Sequence, residues 1–139
     1  METTTKIKNR ITELFQKKSN NILNIYFTAG YPKIEDTVTV LKALEKAGVD
    51  MVEIGMPYSD PVADGPIIQQ SSLDSINAGM TIKKLLEQLK DVRKEVTIPI
   101  LLMGYFNTVM QYGVETFMKE ISEIGIDGVI IPDLPLDEY

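Results

Sequence analysis

Apolar residues recur along the chain in two periods that take turns. Ile7, Ile11, Leu14 and Phe15 fall on one face of a helix over residues 5–18, with Lys and Arg on the other faces. Ser19, Asn20 and Asn21 stop it. A run rich in β-branched and aromatic residues at 22–28 then reads as a strand, broken by Ala29-Gly30-Tyr31-Pro32. Ile34, Val38, Leu41 and Leu44 restore helical spacing, and Gly48 stands where a C-terminal cap is expected. A second strand covers 50–55. It opens into a loop carrying Pro57, Pro61 and Pro66, and residues 67–78 read as a helix ending at Gly79. Thr81 is placed to cap the next helix, whose apolar face is Ile82, Leu85, Leu89, Val92 and Val96. A third strand spans 98–103, and Gly104-Tyr105-Phe106-Asn107 reads as loop. Val114, Phe117, Met118, Ile121 and Ile124 mark a helix capped by Gly125. A fourth strand at 127–131 is stopped by Pro132 and Pro135.

Strands alternating with helices of this length predict an α/β fold of βαβ units on a parallel sheet. The strands are nearly continuous apolar runs, as expected where both faces are covered. No linker or shift of composition divides the chain, so residues 1–139 are expected to form one unit.

One pattern repeats. Gly48-Val49-Asp50-Met51-Val52-Glu53-Ile54 is echoed by Gly125-Ile126-Asp127-Gly128-Val129-Ile130-Ile131. The shared Gly-(Val/Ile)-Asp-x-Val is a helix cap and turn leading into a strand, so it is expected to be structural. The copies differ where the first has Glu53 and the second Ile130. A strand position that accepts an aliphatic residue carries a carboxylate in one copy.

Composition narrows the chemistry. A net charge of -6 argues against a nucleic-acid or anionic-membrane surface. No apolar run is long enough to cross a bilayer, and the N-terminus lacks a secretory core, so the cytoplasm is the expected compartment. There is no His and no Cys. A Ser-His-Asp triad, a thiolate nucleophile and a His/Cys zinc site are therefore excluded, and proton transfer falls to Asp, Glu, Lys or Tyr.

Glu53 is the first candidate. An ionised carboxylate in a doubly covered strand needs partners or a function, so it is either a catalytic acid or a structural Glu bonded to a Lys or to loop amides. Alternation puts Met51, Glu53 and Gly55 on one face. If the sheet closes into a barrel, that face is the interior, where catalytic groups sit near strand C-termini. Asp60 and Asp64 follow in the next loop. Each is a turn former by type, but a loop leaving a strand C-terminus is also where functional acids gather. Asp133 and Tyr105 share that rim. Tyr105 either lines a pocket or covers the sheet end, Phe27 is core or pocket wall, and Lys33 is expected to be a solvated loop residue.

Residues 52–66, Val-Glu-Ile-Gly-Met-Pro-Tyr-Ser-Asp-Pro-Val-Ala-Asp-Gly-Pro, resemble the signature of the tryptophan synthase α subunit. Phe27-Thr28-Ala29-Gly30-Tyr31-Pro32, Leu102-Met103-Gly104-Tyr105-Phe106-Asn107 and Ile131-Pro132-Asp133-Leu134-Pro135 fit the same family in the same order. The resemblance implies a (β/α)₈ TIM barrel acting as a lyase of tryptophan biosynthesis. It implies aldol cleavage of indole-3-glycerol phosphate to indole and glyceraldehyde 3-phosphate, with no cofactor and no metal in this subunit. Glu53 matches the family's general acid/base and Asp64 its second catalytic acid. Phe27 and Tyr105 match substrate-pocket residues. Pro57, Asp60 and Asn107 match the surface that meets a pyridoxal-phosphate-dependent β subunit in an α₂β₂ complex.

A full barrel takes roughly 250 residues, and only four strands are read here. The chain is thus expected to be the N-terminal half of such a barrel. It would lack the phosphate grip built after strands seven and eight, and would be inactive alone. The alternative is a non-catalytic half-barrel that self-associates or binds the β subunit, since an open sheet leaves unpaired edges.

Overall fold

The computed structural model describes residues 8–135 and residue 137. Ile7 of the expected first helix lies outside them. Helix α1 spans Arg10–Lys17, and Asn9 caps it by accepting the Thr12 N–H at 2.9 Å. Then come β1 (Asn24–Thr28), α2 (Thr37–Lys46), β2 (Met51–Gly55), α3 (Pro66–Asn77) and α4 (Ile82–Leu89). A short 3₁₀ turn at Val92–Lys94 precedes β3 (Ile100–Met103), α5 (Phe106–Tyr112), α6 (Val114–Ile124) and β4 (Gly128–Ile130).

The four strands are parallel and lie in the order β1-β2-β3-β4. Each is the neighbour of the one before it, as in one wall of a barrel. Val52, Ile54, Ile100 and Leu102 point to one face and are fully buried in a core with Leu41 of α2, Leu85 and Leu89 of α4, and Phe117 and Ile121 of α6. The helices that return the chain thus pack on one side of the sheet. The other face carries Tyr26, Glu53, Leu101 and Gly128, which share one register level across the strands. Strand parity therefore splits the residues into a helix-facing set and an inward set.

Several boundaries differ from the sequence pattern. The strands start later than their apolar runs because the lead-in residues bond sideways instead. Asp50 accepts the Leu23 N–H, and Asp127 accepts the Ile100 N–H. The expected helix over 82–96 stops at Leu89, yet Val92 and Val96 remain in the core. Burial fixes their apolar spacing, and continuity of the helix does not follow from it. Thr81 caps α4 as expected, accepting the Lys84 N–H at 3.1 Å. Residues 104–107 are not all loop, for α5 begins at Phe106 and contains Asn107. The cause is a distant cap: the Phe106 N–H donates to Asp133 Oδ1 at 2.9 Å.

Candidate active site

Glu53 sits at the centre of β2, on the inward face, between the fully buried Val52 and Ile54. It is half-buried, less than a doubly covered strand would make it, because the helices cover only the other face. Its Oε1 accepts from Asn24 Nδ2 at 2.6 Å. Asn24 opens β1 opposite Met51, so the carboxylate leans toward the N-terminal end of the sheet.

Asp64 lies in the loop that leaves β2 at the opposite, C-terminal end. Its Oδ2 accepts from Tyr105 Oη at 3.2 Å, and the same phenol oxygen accepts the Ala63 N–H at 3.0 Å. Tyr105 is buried at the base of α5 and stacks on Tyr58, ring centroids 5.0 Å apart. Asn107 Nδ2 donates to Tyr58 Oη at 3.4 Å. One cluster thus gathers Asp64, Tyr105, Tyr58 and Asn107 on the rim. Burial pushes the Tyr105 phenol above its ordinary pKa; the Ala63 N–H opposes this, and the Asp64 carboxylate adds to it.

Phe27 departs from the pocket role that the resemblance implied. It pairs with Ile54 and packs against the helix-side core, on the opposite face from Glu53. The aromatic on Glu53's own face is Tyr26, its direct cross-strand partner. The Tyr26 hydroxyl lies over Gly55, where a Cβ would meet it at 1.9 Å, so only glycine admits the ring there. Burial raises the Tyr26 pKa, a hydrogen bond with Thr28 opposes the rise, and the charges of Asp64 and Glu53 add to it. Tyr26 therefore feels both acids at once. Tyr26, Tyr58 and Asn24 are site residues that sequence reasoning missed. Parity counted back from Thr28 through the neighbouring strand was the signal for Tyr26.

Pro57 is half-buried beside Tyr58, and Asp60 and Asn107 are exposed. Val62 on the same loop and Ile67 at the start of α3, 75% and 86% exposed, give this rim an open apolar surface. Asp133 is spent on capping α5, and Lys33 is exposed as expected.

A family model described as tryptophan synthase alpha chain matches residues 12–139. The chain belongs to the tryptophan synthase alpha chain family. It is 58% identical over 131 residues to the tryptophan synthase alpha chain of Flavobacterium psychrophilum, covering 94% of this chain and 51% of that one. The alpha chain of Phocaeicola vulgatus is 56% identical with the same coverage. Among solved structures, the tryptophan synthase alpha subunit of Legionella pneumophila superposes with a TM-score of 0.88 at 37% identity, covering 94% of this chain and 52% of that one. Aminoacrylate-bound tryptophan synthase of Mycobacterium tuberculosis matches with a TM-score of 0.86 at 30% identity, covering 94% of this chain and 54% of that one. The four-stranded sheet is thus the TIM-barrel wall of tryptophan synthase alpha structures, and the chain spans about half the length of the curated relatives it matches. No helix among the described residues is long and apolar enough to cross a membrane.

Proposed function

We propose that this chain supplies the acid-bearing half of a tryptophan synthase alpha barrel, which cleaves indole-3-glycerol phosphate to indole and glyceraldehyde 3-phosphate. The observation that carries the proposal is that one strand–loop unit bears two carboxylates, one on the inward face and one on the C-terminal rim. Glu53 projects from β2 on the inward face, and Asp64 is held at that strand's C-terminal rim by Tyr105. Cleavage of the C–C bond at indole C3 needs a proton delivered to that carbon and positive charge tolerated on the ring. Glu53 gives its proton to C3, which keeps it in the indole product. As the C–C bond breaks, its electrons return to the ring, and the neighbouring glycerol hydroxyl becomes the aldehyde by giving its proton back to the Glu53 carboxylate. Asp64 accepts the indole N–H and stabilises the protonated ring. Tyr26, level with Glu53 on the same face, is a wall of the pocket in this reading.

The proposed partner is the β subunit, which would receive the indole and carry the pyridoxal phosphate. Asn107 bonded to Tyr58 beside Pro57, with exposed Asp60 and Val62 on the loop and Ile67 at the start of α3, supports a docking surface there. The cytoplasmic location is carried over with this biosynthetic role.

The phosphate site of such barrels is formed after strands seven and eight, so the 139-residue chain alone is proposed not to turn over. Purified chain incubated with indole-3-glycerol phosphate should release no indole above background, and a measurable rate would refute this. In a completed barrel bearing these residues, Glu53→Gln should reduce indole release by at least about a thousandfold while the far-UV spectrum stays unchanged. Retained turnover would reassign the proton transfer.

A further inference from the structure

Asp64 is tied down at three points. Its N–H donates to the Pro61 carbonyl at 3.0 Å, and its carboxylate accepts from Tyr105. Its own carbonyl accepts from Gln69 Nε2 at 2.8 Å. The same Gln69 amide reaches the Pro61 carbonyl at 3.4 Å. One side chain from the start of α3 thus closes over both ends of the turn that holds the acid.

The chemistry of this contact is selective. Both atoms that Gln69 meets are carbonyl oxygens, which can only accept. The NH₂ end of the amide fits there; a carboxylate of the same shape would be repelled, and an aliphatic side chain would make no bond. The origin of the side chain is fixed as well. Ser75 Oγ, 1% exposed as a residue, donates to the Ala29 carbonyl at 2.6 Å, and Ser71 and Thr28 share a hydroxyl bond of 2.7 Å. These contacts bind α3 to the end of β1, so Gln69 reaches the turn from a rigid support.

We propose that Gln69 is a positioning residue for Asp64, clamping the 61–64 turn so that the carboxylate meets the Tyr105 hydroxyl. The inference rests on the reading of Asp64 as the second catalytic acid. Gln69 acts through the main chain and leaves the charge of the site unaltered.

The test uses the 139-residue chain with ¹³Cζ-labelled tyrosine and ¹⁵N backbone, Tyr105 being assigned through Tyr105→Phe. Gln69→Glu and Gln69→Ala should each move the Tyr105 titration midpoint away from that of the unsubstituted chain, since the Ala63 N–H and the Asp64 carboxylate that bias the phenol are both released. Both should speed solvent exchange of the Ala63 and Asp64 amides about tenfold, the effect of losing a typical hydrogen bond. Amides in the second half of α3 should exchange as in the unsubstituted chain. If both variants keep the Tyr105 midpoint and hold the two exchange rates within about twofold, the proposal is overturned. Should Gln69→Glu fray the start of α3, Gln69→Ala decides alone. The readout is loop geometry. A wrong assignment of Asp64 to catalysis would appear as retained turnover of Asp64→Asn in a completed barrel and would leave this result standing.

Discussion

The turns that enter β2 and β4 are built alike and anchored differently. Gly48 and Gly125 both adopt φ +94 and donate back to the helix they terminate, to Glu45 and Ile121. Asp50 and Asp127 each exchange two hydrogen bonds with the residue at the start of the preceding strand, Leu23 in one case and Ile100 in the other. The repeated Gly-x-Asp is therefore structural, as expected, but its Asp stitches neighbouring parallel strands together and does not simply bond its own turn. The counter-charges are where the two diverge. Asp50, with its side chain 13% exposed, has among the described residues only Lys18 as counter-charge, at 2.8 Å. Asp127, with its side chain 3% exposed, is gripped by Arg93 at 2.6 Å and Arg10 at 3.2 Å. Arg93 also donates to the carbonyls of Gly125, Val96 and Ile98. Burial demands this fuller set of partners, and a buried carboxylate without them would be costly. The same turn thus serves a partly covered position with one cation and a buried one with a network.

The difference can be broken at its strongest point first. Asp127→Ala would leave Arg93 buried and unpaired, and should cost about 3–5 kcal/mol in urea unfolding. Asp50→Ala should cost clearly less; equal losses would mean that burial does not separate the two stitches. Next come the glycines. Gly125→Ala should destabilise by about 2 kcal/mol, since a left-handed alanine is strained and its Cβ would lie 3.1 Å from Arg93 Cγ. Gly48→Ala, with nothing within 4 Å of the new Cβ, should cost only the backbone strain of about 1 kcal/mol. A reversed order in thermal melts would contradict this account. The smallest effect is a pH dependence. The Leu23 N–H, and then Lys18, hold the Asp50 carboxyl below its ordinary pKa. A depressed carboxyl stabilises the fold above its unfolded pKa, about 3.9, and that contribution is lost as pH falls through the lower folded value. The melting difference between the unsubstituted chain and Asp50→Asn should therefore shrink as the pH is lowered below about 4.

The fold was legible because helix and strand periods alternate and because Gly48 and Gly125 punctuate them. The site was legible in part. Glu53 and Asp64 stand out as acids in a strand and in its following loop. Tyr26 did not, although β1 alternates Asn24, Tyr26 and Thr28 with Ile25 and Phe27, because an aromatic residue in a short, mostly apolar run reads equally well as core. Pairing with β2 then places Tyr26 level with Glu53 and Phe27 on the face of the helices. The start of α5 was hidden for a different reason. Its cap, Asp133, comes from 27 residues further on, beyond the range of any local signal.

Arg10 and Arg93 meet at one carboxylate from very different distances along the chain. Arg93 is 34 residues from Asp127, and Arg10 is 117 residues away. Closing the longer loop costs about 1 kcal/mol more in chain entropy. The Arg93 contact ties the turn that leads into β3 to the turn that leads into β4, whereas the Arg10 contact brings α1 to the same place. During synthesis, Arg93 can seat β4 as soon as Asp127 emerges from the ribosome. Helix α1, made first, gains this anchor only at that point.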